Sequence, residues 1–277
     1  MKRYKILSLA IDTSRGIFRG SSSEGSAIAI AKKEMENEIK SRFGVFEYDN
    51  KFKRYMALEK PVLSVVEEHT YLLEDICDAY VRGSLYSALT GACCLGERIF
   101  NNVIFKVMED FKSSPWYKIV YAKNRRNGSI VEWEDGIKIL HSWNIINAEV
   151  LKKYLRLKEL RNESVHFQKK NQDLESMSLE AINIISFIIS SLFSLDQNRK
   201  DILLWFDVPG EIFLKKAAEN DPMVKAFYIP CSFLVGPQYE VTGYSLGKFV
   251  ISDNHQYEER EISDEEFVRL RNEHTGK

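Results

Sequence analysis

Residues 151–170 read LKKYLRLKELRNESVHFQKK and carry the most information about the fold and function of this chain. The stretch holds seven Lys and Arg side chains against two Glu, a net charge of +5. Arg161 and His166 are the two side chains within it that suit phosphate chemistry. An Arg guanidinium presents a planar fork of donors to phosphate oxygens, and His exchanges a proton near neutral pH. The stretch therefore predicts a basic helical segment with a candidate pair for binding and transforming a phosphate ester.

The spacing of Arg161 and His166 limits how the two side chains cooperate. On a continuous α-helix, residues five apart point in directions about 140° apart, because each residue turns the helix by about 100°. A distortion of the helix within residues 162–164, or a site shared across a dimer interface, would bring the pair together. The sequence leaves both arrangements open.

Helical spacing extends on both sides of this stretch, over residues 59–197. Gly83 predicts a break between two long helices. The uncharged run at residues 181–195 is shorter than the roughly 20 residues that a bilayer requires, so we expect a buried bundle helix rather than a membrane span. The middle of the chain is therefore predicted to be a helical bundle.

Capping residues mark where several of these helices begin. Asn147 is a predicted N-cap, and either Asp173 or Ser178 is expected to cap the apolar helix that follows. Ser263 with Glu266 forms a capping box before a final acidic helix.

The two ends of the chain show mixed patterns. Residues 1–58 predict a strand at 4–11, a helix at 26–42 and a second strand at 43–48. Residues 198–277 predict a short helix at 211–220. They also predict short strands at 202–208, 224–229, 232–235, 239–242 and 248–251. The expected fold is mainly α with α+β extensions: an N-terminal mixed α/β segment (1–58), a helical bundle (59–197) and a small β-rich C-terminal α+β region (198–277).

The composition is that of an ordinary globular protein. Of 277 residues, 44% are hydrophobic and 29% charged, which excludes wholly disordered and low-complexity classes. Lys and Arg number 39 against 40 Asp and Glu, so the net charge is −1. A strongly basic nucleic-acid-binding coat is therefore excluded, whereas a local basic stripe is not.

The chain lacks the common signatures of metal and nucleotide cofactors. Cys77, Cys93, Cys94 and Cys231 form no CxxC pair, and neither HExxH nor a Gly-rich phosphate loop occurs. We expect all four to be free, buried thiols in a reducing cytoplasm, and residues 1–10 do not read as a signal peptide. We expect no cofactor, no metal and no membrane association.

The hexapeptide Arg161-Asn162-Glu163-Ser164-Val165-His166 resembles the RxxxxH motif of the HEPN superfamily, including the Asn that follows Arg in many members. The order of elements is also similar, because two long helices precede the motif and an apolar helix follows it. The resemblance covers roughly residues 60–197 and implies a bundle of four or five helices.

Many HEPN proteins are metal-independent endoribonucleases, often in toxin or antiphage systems, with a composite site at a homodimer interface. The resemblance implies that His166 transfers a proton at the ribose 2′-hydroxyl and that Arg161 holds the scissile phosphate and its developing charge. Asn162 would support their geometry by hydrogen bonding. RNA is the implied substrate because DNA lacks the 2′-hydroxyl, and a 2′,3′-cyclic phosphate is the expected product.

Other residues are candidates for supporting roles. Basic side chains could bind RNA phosphates, namely Lys152, Lys153, Arg156, Lys169, Lys170, Arg125 and Arg126. Aromatic residues Trp116, Tyr117 and Tyr121 lie among cations and could stack on bases, although a packed inter-helix loop has the same composition. Glu97, on the second long helix, is a candidate accessory acid of the site, or one partner of a surface salt bridge.

A second function stays open, because non-catalytic HEPN members exist. The bundle would then be a dimerisation or protein- or RNA-binding module with a protein partner such as an antitoxin. Arg161 and His166 would in that case pair with nearby acids at a helix end. An open basic cleft shared by both side chains favours the enzyme, and their separation on opposite faces favours the module.

Overall fold

The computed structural model describes residues 1–6, 26–59, 62–125, 131–165, 173–195, 199–204, 207–208, 210–245 and 248–276. The chain forms two units. One contains Ala10–Leu192, and the other joins Met1–Leu9 to Phe193–Lys277. The prediction of a mainly helical chain with α+β extensions is confirmed.

The described part of the first unit consists of helices joined by turns and loops. Its helices are α1 (Ser26–Phe43), α2 (Tyr48–Ala57), α3 (Glu67–Val81), α4 (Leu85–Val107), α5 (Tyr117–Arg125), α6 (Trp133–Ser142), α7 (Ala148–Val165) and α8 (Leu174–Phe193). The predicted break at Gly83 is confirmed, since this residue adopts a φ of 85° between α3 and α4.

Helix α4 lies at the centre of this unit and packs against α3, α6 and α7. Residues from Ala88 to Val107 on its inner faces are almost fully buried, among them Leu89, Ile99, Phe100, Val103 and Ile104. Its small residues serve packing within the chain. A Cβ atom at Gly96 would lie 2.6 Å from Leu157 Cδ2 on α7, and one at Gly91 would lie 3.0 Å from Ile76 Cγ1 on α3.

The predicted caps of α7 and α8 are confirmed. Asn147 Oδ1 accepts hydrogen bonds from the backbone N–H groups of Glu149 and Val150, at 3.0 and 2.9 Å. Asp173 Oδ1 accepts one from Ser176 N at 3.1 Å, so Asp173 rather than Ser178 caps α8. The side-chain oxygens thereby satisfy backbone donors that the first helical turn leaves unpaired.

Helix α8 contributes buried apolar side chains to the unit, including Ile185, Ile188 and Ile189. By length and composition it is the one helix in the described ranges that could cross a membrane. Half of its most apolar window is buried, and a core helix passes the same test. Ser178 Oγ on α8 donates a hydrogen bond to the backbone oxygen of Leu85, at the start of α4, at 2.8 Å.

The second unit contains β1 (Arg3–Ile6), β2 (Ile212–Phe213), β3 (Ser232–Val235), β4 (Glu240–Ser245), β5 (Lys248–Ser252) and α9 (Asp264–Thr275). β1 is the central strand of an antiparallel sheet with the order β2-β1-β3. β4 and β5 form a separate antiparallel pair with a bulge between Val241 and Gly243. The predicted capping box of α9 is confirmed on one side, because Ser263 Oγ accepts from Glu266 N at 3.1 Å.

Buried charges connect the elements of this second unit. Glu211 accepts hydrogen bonds from Lys5 on β1 at 2.8 Å and from Arg271 Nε on α9 at 2.8 Å. Tyr239 OH also donates to Glu211, and the Arg271 guanidinium lies 4.0 Å from the centre of the Tyr239 ring. The cluster of Lys5, Glu211, Tyr239 and Arg271 therefore joins both ends of the described chain to one partly buried carboxylate.

Two of the predicted strands form helical turns or connecting turns instead. Residues 43–48 form the end of α1 and a turn into α2, where Gly44 and Glu47 adopt φ values of 79° and 51°. Residues 224–229 include a wide helical turn at Val224–Tyr228. The burial of positions 224, 227 and 228 has helical spacing, and short apolar runs of this kind fit either structure.

Residues 202–208 were expected to form a strand, but their described part makes only an isolated bridge between Leu203 and Leu214. The helix expected at 211–220 is instead β2 followed by a 3₁₀ turn at Lys216–Asn220. The three-part division at 58 and 197 also differs from the two units of the structure. Because β1 pairs with β2 and β3, the start of the chain belongs with its C-terminal region.

Candidate functional site

Arg161 lies near the C-terminal end of α7, with 42% of its side chain exposed. Its Nη2 is 3.5 Å from Glu97 Oε2 on α4, and the Glu97 side chain is 20% exposed. The guanidinium carbon also lies 5.9 Å from the centre of the Trp133 ring at the start of α6. Three helices thus position one partly exposed cation, whose direction is set by a carboxylate and an aromatic face.

Close packing of α4 on α7 brings Glu97 and Arg161 together. Gly96, directly before Glu97, has no side chain, so Leu157 of α7 fits against the backbone of α4. Cys93, one helical turn earlier, lies with its Sγ 3.8 Å from Leu157 O. The absence of a Cβ atom at one position of α4 therefore determines the geometry of the candidate site.

An aromatic cluster supports the site from the interior. Phe100, Trp133 and Tyr154 lie at edge-on angles to one another, with ring centres 5.2 to 6.3 Å apart. All three rings are buried, and edge-to-face pairs of this kind are favourable beyond their area burial. Because Trp133 belongs to this cluster, the aromatic face beneath Arg161 is rigidly held.

The remainder of the RxxxxH-like hexapeptide is only partly described. Asn162 is exposed on α7, and Ser164 Oγ donates a hydrogen bond to Arg161 O at 2.8 Å. His166 follows α7 directly in sequence but lies outside the described residues. The predicted pairing of Arg161 with His166 therefore stays a prediction.

The predicted RNA-binding residues of α7 have different surroundings. Lys152 is exposed, and the Lys153 ammonium lies 5.5 Å from the centre of the Phe187 ring on α8. Lys169, Lys170 and Arg126 lie outside the described residues. Arg125 is the last residue of α5, away from α7 in sequence, and its side chain is not described.

The Arg156 guanidinium forms ion pairs with carboxylates of neighbouring residues. It makes two hydrogen bonds with Glu180 on α8, at 2.8 and 2.9 Å, and further ion pairs with Glu159 at 3.1 Å and Glu163 at 3.3 Å. The Glu180 carboxylate raises the pKa of the Arg156 guanidinium, with Glu159 and Glu163 adding to the effect. This side chain is therefore a structural link between α7 and α8.

Spatial neighbours reduce the positive charge that the sequence assigns to residues 151–170. Lys158 pairs with Glu134 on α6, as Arg156 does with Glu180 and Arg161 with Glu97. Trp133, Glu134 and Glu180 are the neighbours that sequence reasoning missed. Each is distant along the chain from its partner, and no local pattern of residues signals such a contact.

The four cysteines form no disulfide bond. Cys77 and Cys93 are buried, and burial raises the pKa of the Cys93 thiol to about 12. Cys94 is exposed. Within the described ranges, no group of three or more His, Cys, Asp and Glu side chains is arranged to hold a metal ion.

Comparison of this chain with protein-family models, with curated proteins and with solved structures finds no match.

Proposed function

We propose that this protein is a metal-independent endoribonuclease of the HEPN type, acting as a toxin or antiphage effector. The observation that carries the proposal is the setting of Arg161. It belongs to the RxxxxH-like hexapeptide, keeps 42% of its side chain exposed, and is directed by Glu97 and Trp133. A guanidinium held in this way can bind a phosphate group without a large loss of side-chain entropy.

In the proposed reaction, His166 removes the proton of the ribose 2′-hydroxyl, and the 2′-oxygen attacks the adjacent phosphorus. The bond from phosphorus to the 5′-oxygen breaks, and that oxygen leaves with a proton from the second motif of a homodimer. Arg161 stabilises the negative charge that develops on the phosphoryl oxygens. The products are a 2′,3′-cyclic phosphate and a free 5′-hydroxyl.

Glu97 and Asn162 have supporting roles in this proposal. Glu97, at 3.5 Å from Arg161 Nη2, fixes the direction of the guanidinium, so that it needs little rearrangement when phosphate arrives. Asn162 is exposed beside Arg161 on α7 and can hydrogen-bond to the substrate. Lys152, exposed on the same helix, adds a phosphate contact.

A second candidate function is a non-catalytic HEPN-type module that binds a partner or dimerises. The observation that favours it is the pairing of cations in residues 151–165. Arg156, Lys158 and Arg161 each contact a carboxylate, which leaves a weaker positive field for RNA than the sequence predicts. Such ion pairs are also what a purely structural helix end would contain.

Incubation of the purified protein with total RNA tests the proposal, with His166→Ala as the matched control. The nuclease predicts RNA cleavage by the wild type and intact RNA with the variant at equal concentration. RNA left intact by both proteins, or cut equally by both, contradicts the assignment and favours the binding module or a contaminating nuclease.

A further inference from the structure

A groove with a volume of about 530 Å³ lies between α3 and α4. Its lining is mainly apolar. Ile76 and Leu95 are buried beneath it, and Leu72 and Ala79 are half-buried along it. A concave, largely apolar surface of this size is typical of a place where a ligand or a partner binds.

Two opposite charges border this groove. Among the described residues, Asp75 on α3 is exposed and forms no ion pair. Arg98 on α4 pairs with Glu68, but 57% of its side chain is exposed. A guanidinium has five N–H donors, so Arg98 can bind a second carboxylate beside Glu68. Both charges are therefore accessible to a partner in the groove.

The packing of α3 against α4 gives the level of each charge along the groove. A Cβ atom at Gly91 would lie 3.0 Å from Ile76 Cγ1, so these two residues are level with each other. Asp75 precedes Ile76 on an antiparallel helix and is therefore level with Ala92. At 1.5 Å per residue, Arg98 lies about 9 Å further along α4.

We propose that this groove binds α4 of a second copy of the chain, antiparallel to the first, across a two-fold axis near Cys94. Such an axis crosses α4 midway between the levels of Asp75 and Arg98. Each Arg98 then meets Asp75 of the other copy, and both ion pairs form together. A two-fold interface requires a self-complementary surface of this kind, because the same residues lie on both sides of it.

The same axis brings the two candidate sites together. Glu97, which contacts Arg161 at 3.5 Å, follows Cys94 by three residues, about 4.5 Å along α4. Helix α7 packs against α4, and an axis perpendicular to α4 keeps α7 of both copies on one side of the interface. The two Arg161 side chains then lie on that side, at levels about 9 Å apart along α4. The choice of a second copy rests in part on the proposed nuclease, which requires a second motif.

Analytical ultracentrifugation of the full chain with charge reversals tests the interface. Asp75→Lys and Arg98→Glu should each raise the dimer Kd about tenfold or more, because two like-charge contacts replace two ion pairs. An equimolar mixture of the two variants should form a heterodimer with nearly the wild-type Kd, since both contacts then join opposite charges. Glu34→Lys is the matched control, because it reverses an exposed acid on α1, outside the groove.

Oxidation of the native thiols gives a second readout. Residues that face each other across close-packed helices have Cα atoms near enough for a disulfide bond. Cys94 is exposed, so mild oxidation of the wild type should give a disulfide-linked dimer. Cys94→Ser should give none under the same conditions.

A monomeric wild type at micromolar concentration would overturn the proposal. Unchanged Kd values in Asp75→Lys and Arg98→Glu, or a mixture of them that stays monomeric, would do so too, as would a wild type that forms no linked dimer. The nuclease can fail separately: the expected dimer with RNA left intact by the wild type removes the nuclease alone. Cleavage by the wild type and by both variants, each still dimeric, removes only this interface.

Discussion

The contacts that hold the Arg161 guanidinium contribute little to stability. Its ion pair with Glu97 is 3.5 Å long and partly open to water, and pairs of this kind contribute about 0–1 kcal/mol. Trp133 would remain packed against Phe100 and Tyr154 without it. The arrangement therefore directs a cation without depending on it for folding.

Arg161→Ala is expected to abolish RNA cleavage and to leave the melting temperature nearly unchanged. Arg161→Lys should restore little activity, because an ammonium lacks the bidentate fork of the guanidinium. Cleavage assays and thermal unfolding of the same preparations check both statements. A large drop in melting temperature with no change in cleavage would assign Arg161 a structural role instead.

Glu211 pairs with two buried cations of the C-terminal unit, Lys5 and Arg271. Burial alone would raise the pKa of this carboxyl, but hydrogen bonds from Arg271, Lys5 and Tyr239 outweigh burial and lower the pKa to about 2. A carboxyl whose pKa is lower in the folded than in the unfolded state stabilises the folded protein at pH values above the unfolded-state pKa. This contribution is lost as the pH falls to the folded-state pKa. The loss should extend from about pH 4.5 down to about pH 2.

Glu211→Gln should lower the free energy of unfolding at pH 7 by about 3 kcal/mol, since it leaves Lys5 and Arg271 buried without their anion. The variant should also lose the part of the acid dependence that Glu211 causes. Urea unfolding of both proteins between pH 2 and pH 7 measures this. A constant difference between them at every pH would show that Glu211 is not the titrating group.

At the scale of elements, the contact between α4 and α7 depends on Gly96. A Cβ atom there would lie 2.6 Å from Leu157 Cδ2 and 3.4 Å from Trp133, both of which are buried. Neighbouring side chains would have to move, and the core has little space for them.

Gly96→Ala is therefore expected to reduce the free energy of unfolding by about 1–3 kcal/mol, the usual cost of overpacking a core. Ser87→Ala is the matched control, because Ser87 lies on the exposed side of the same helix. Denaturant unfolding of both variants gives the comparison. Stability equal to the wild type in Gly96→Ala would mean that α4 and α7 are packed less closely than the structure indicates.

The starts of helices were predicted correctly from the sequence where a capping side chain accepts hydrogen bonds from the helix that it begins. Three side chains cap their helices: Asn147, Asp173 and Ser263. In each, the side-chain oxygen accepts from backbone N–H groups only two or three residues later in the sequence. The strand predicted at residues 43–48 was wrong because aromatic and β-branched residues fit a turn between two packed helices as well as a strand. Their structure depends on α1 and α2, and not on their own composition.

Non-local contacts could not be predicted from one sequence. Lys5 meets Glu211 and Arg156 meets Glu180 through the fold, and nothing in the intervening residues encodes the pairing. In the candidate site, Arg161 was singled out from the RxxxxH-like hexapeptide, and Glu97 was named as an accessory acid or as one partner of a surface salt bridge. The structure places these two side chains 3.5 Å apart. Trp133 could not be predicted, since an apolar residue at a helix start is ordinary core composition.

At the scale of the whole molecule, the proposed reaction requires two motifs, and we expect the protein to be a homodimer. The small residues Gly91 and Gly96 do not supply the interface, because they are used inside the chain. Light scattering at micromolar concentration should give twice the chain mass of 32.2 kDa. A monomeric mass together with full activity would contradict a composite site.

The central claim is that Arg161 and His166 cleave RNA through the 2′-hydroxyl without a metal ion, and analysis of the product ends in the presence of EDTA tests it most directly. The claim predicts 2′,3′-cyclic phosphate and 5′-hydroxyl ends, formed at the same rate with and without chelator, and absent with His166→Ala. Loss of cleavage in EDTA that a divalent cation restores, or products ending in a 5′-phosphate, would contradict it.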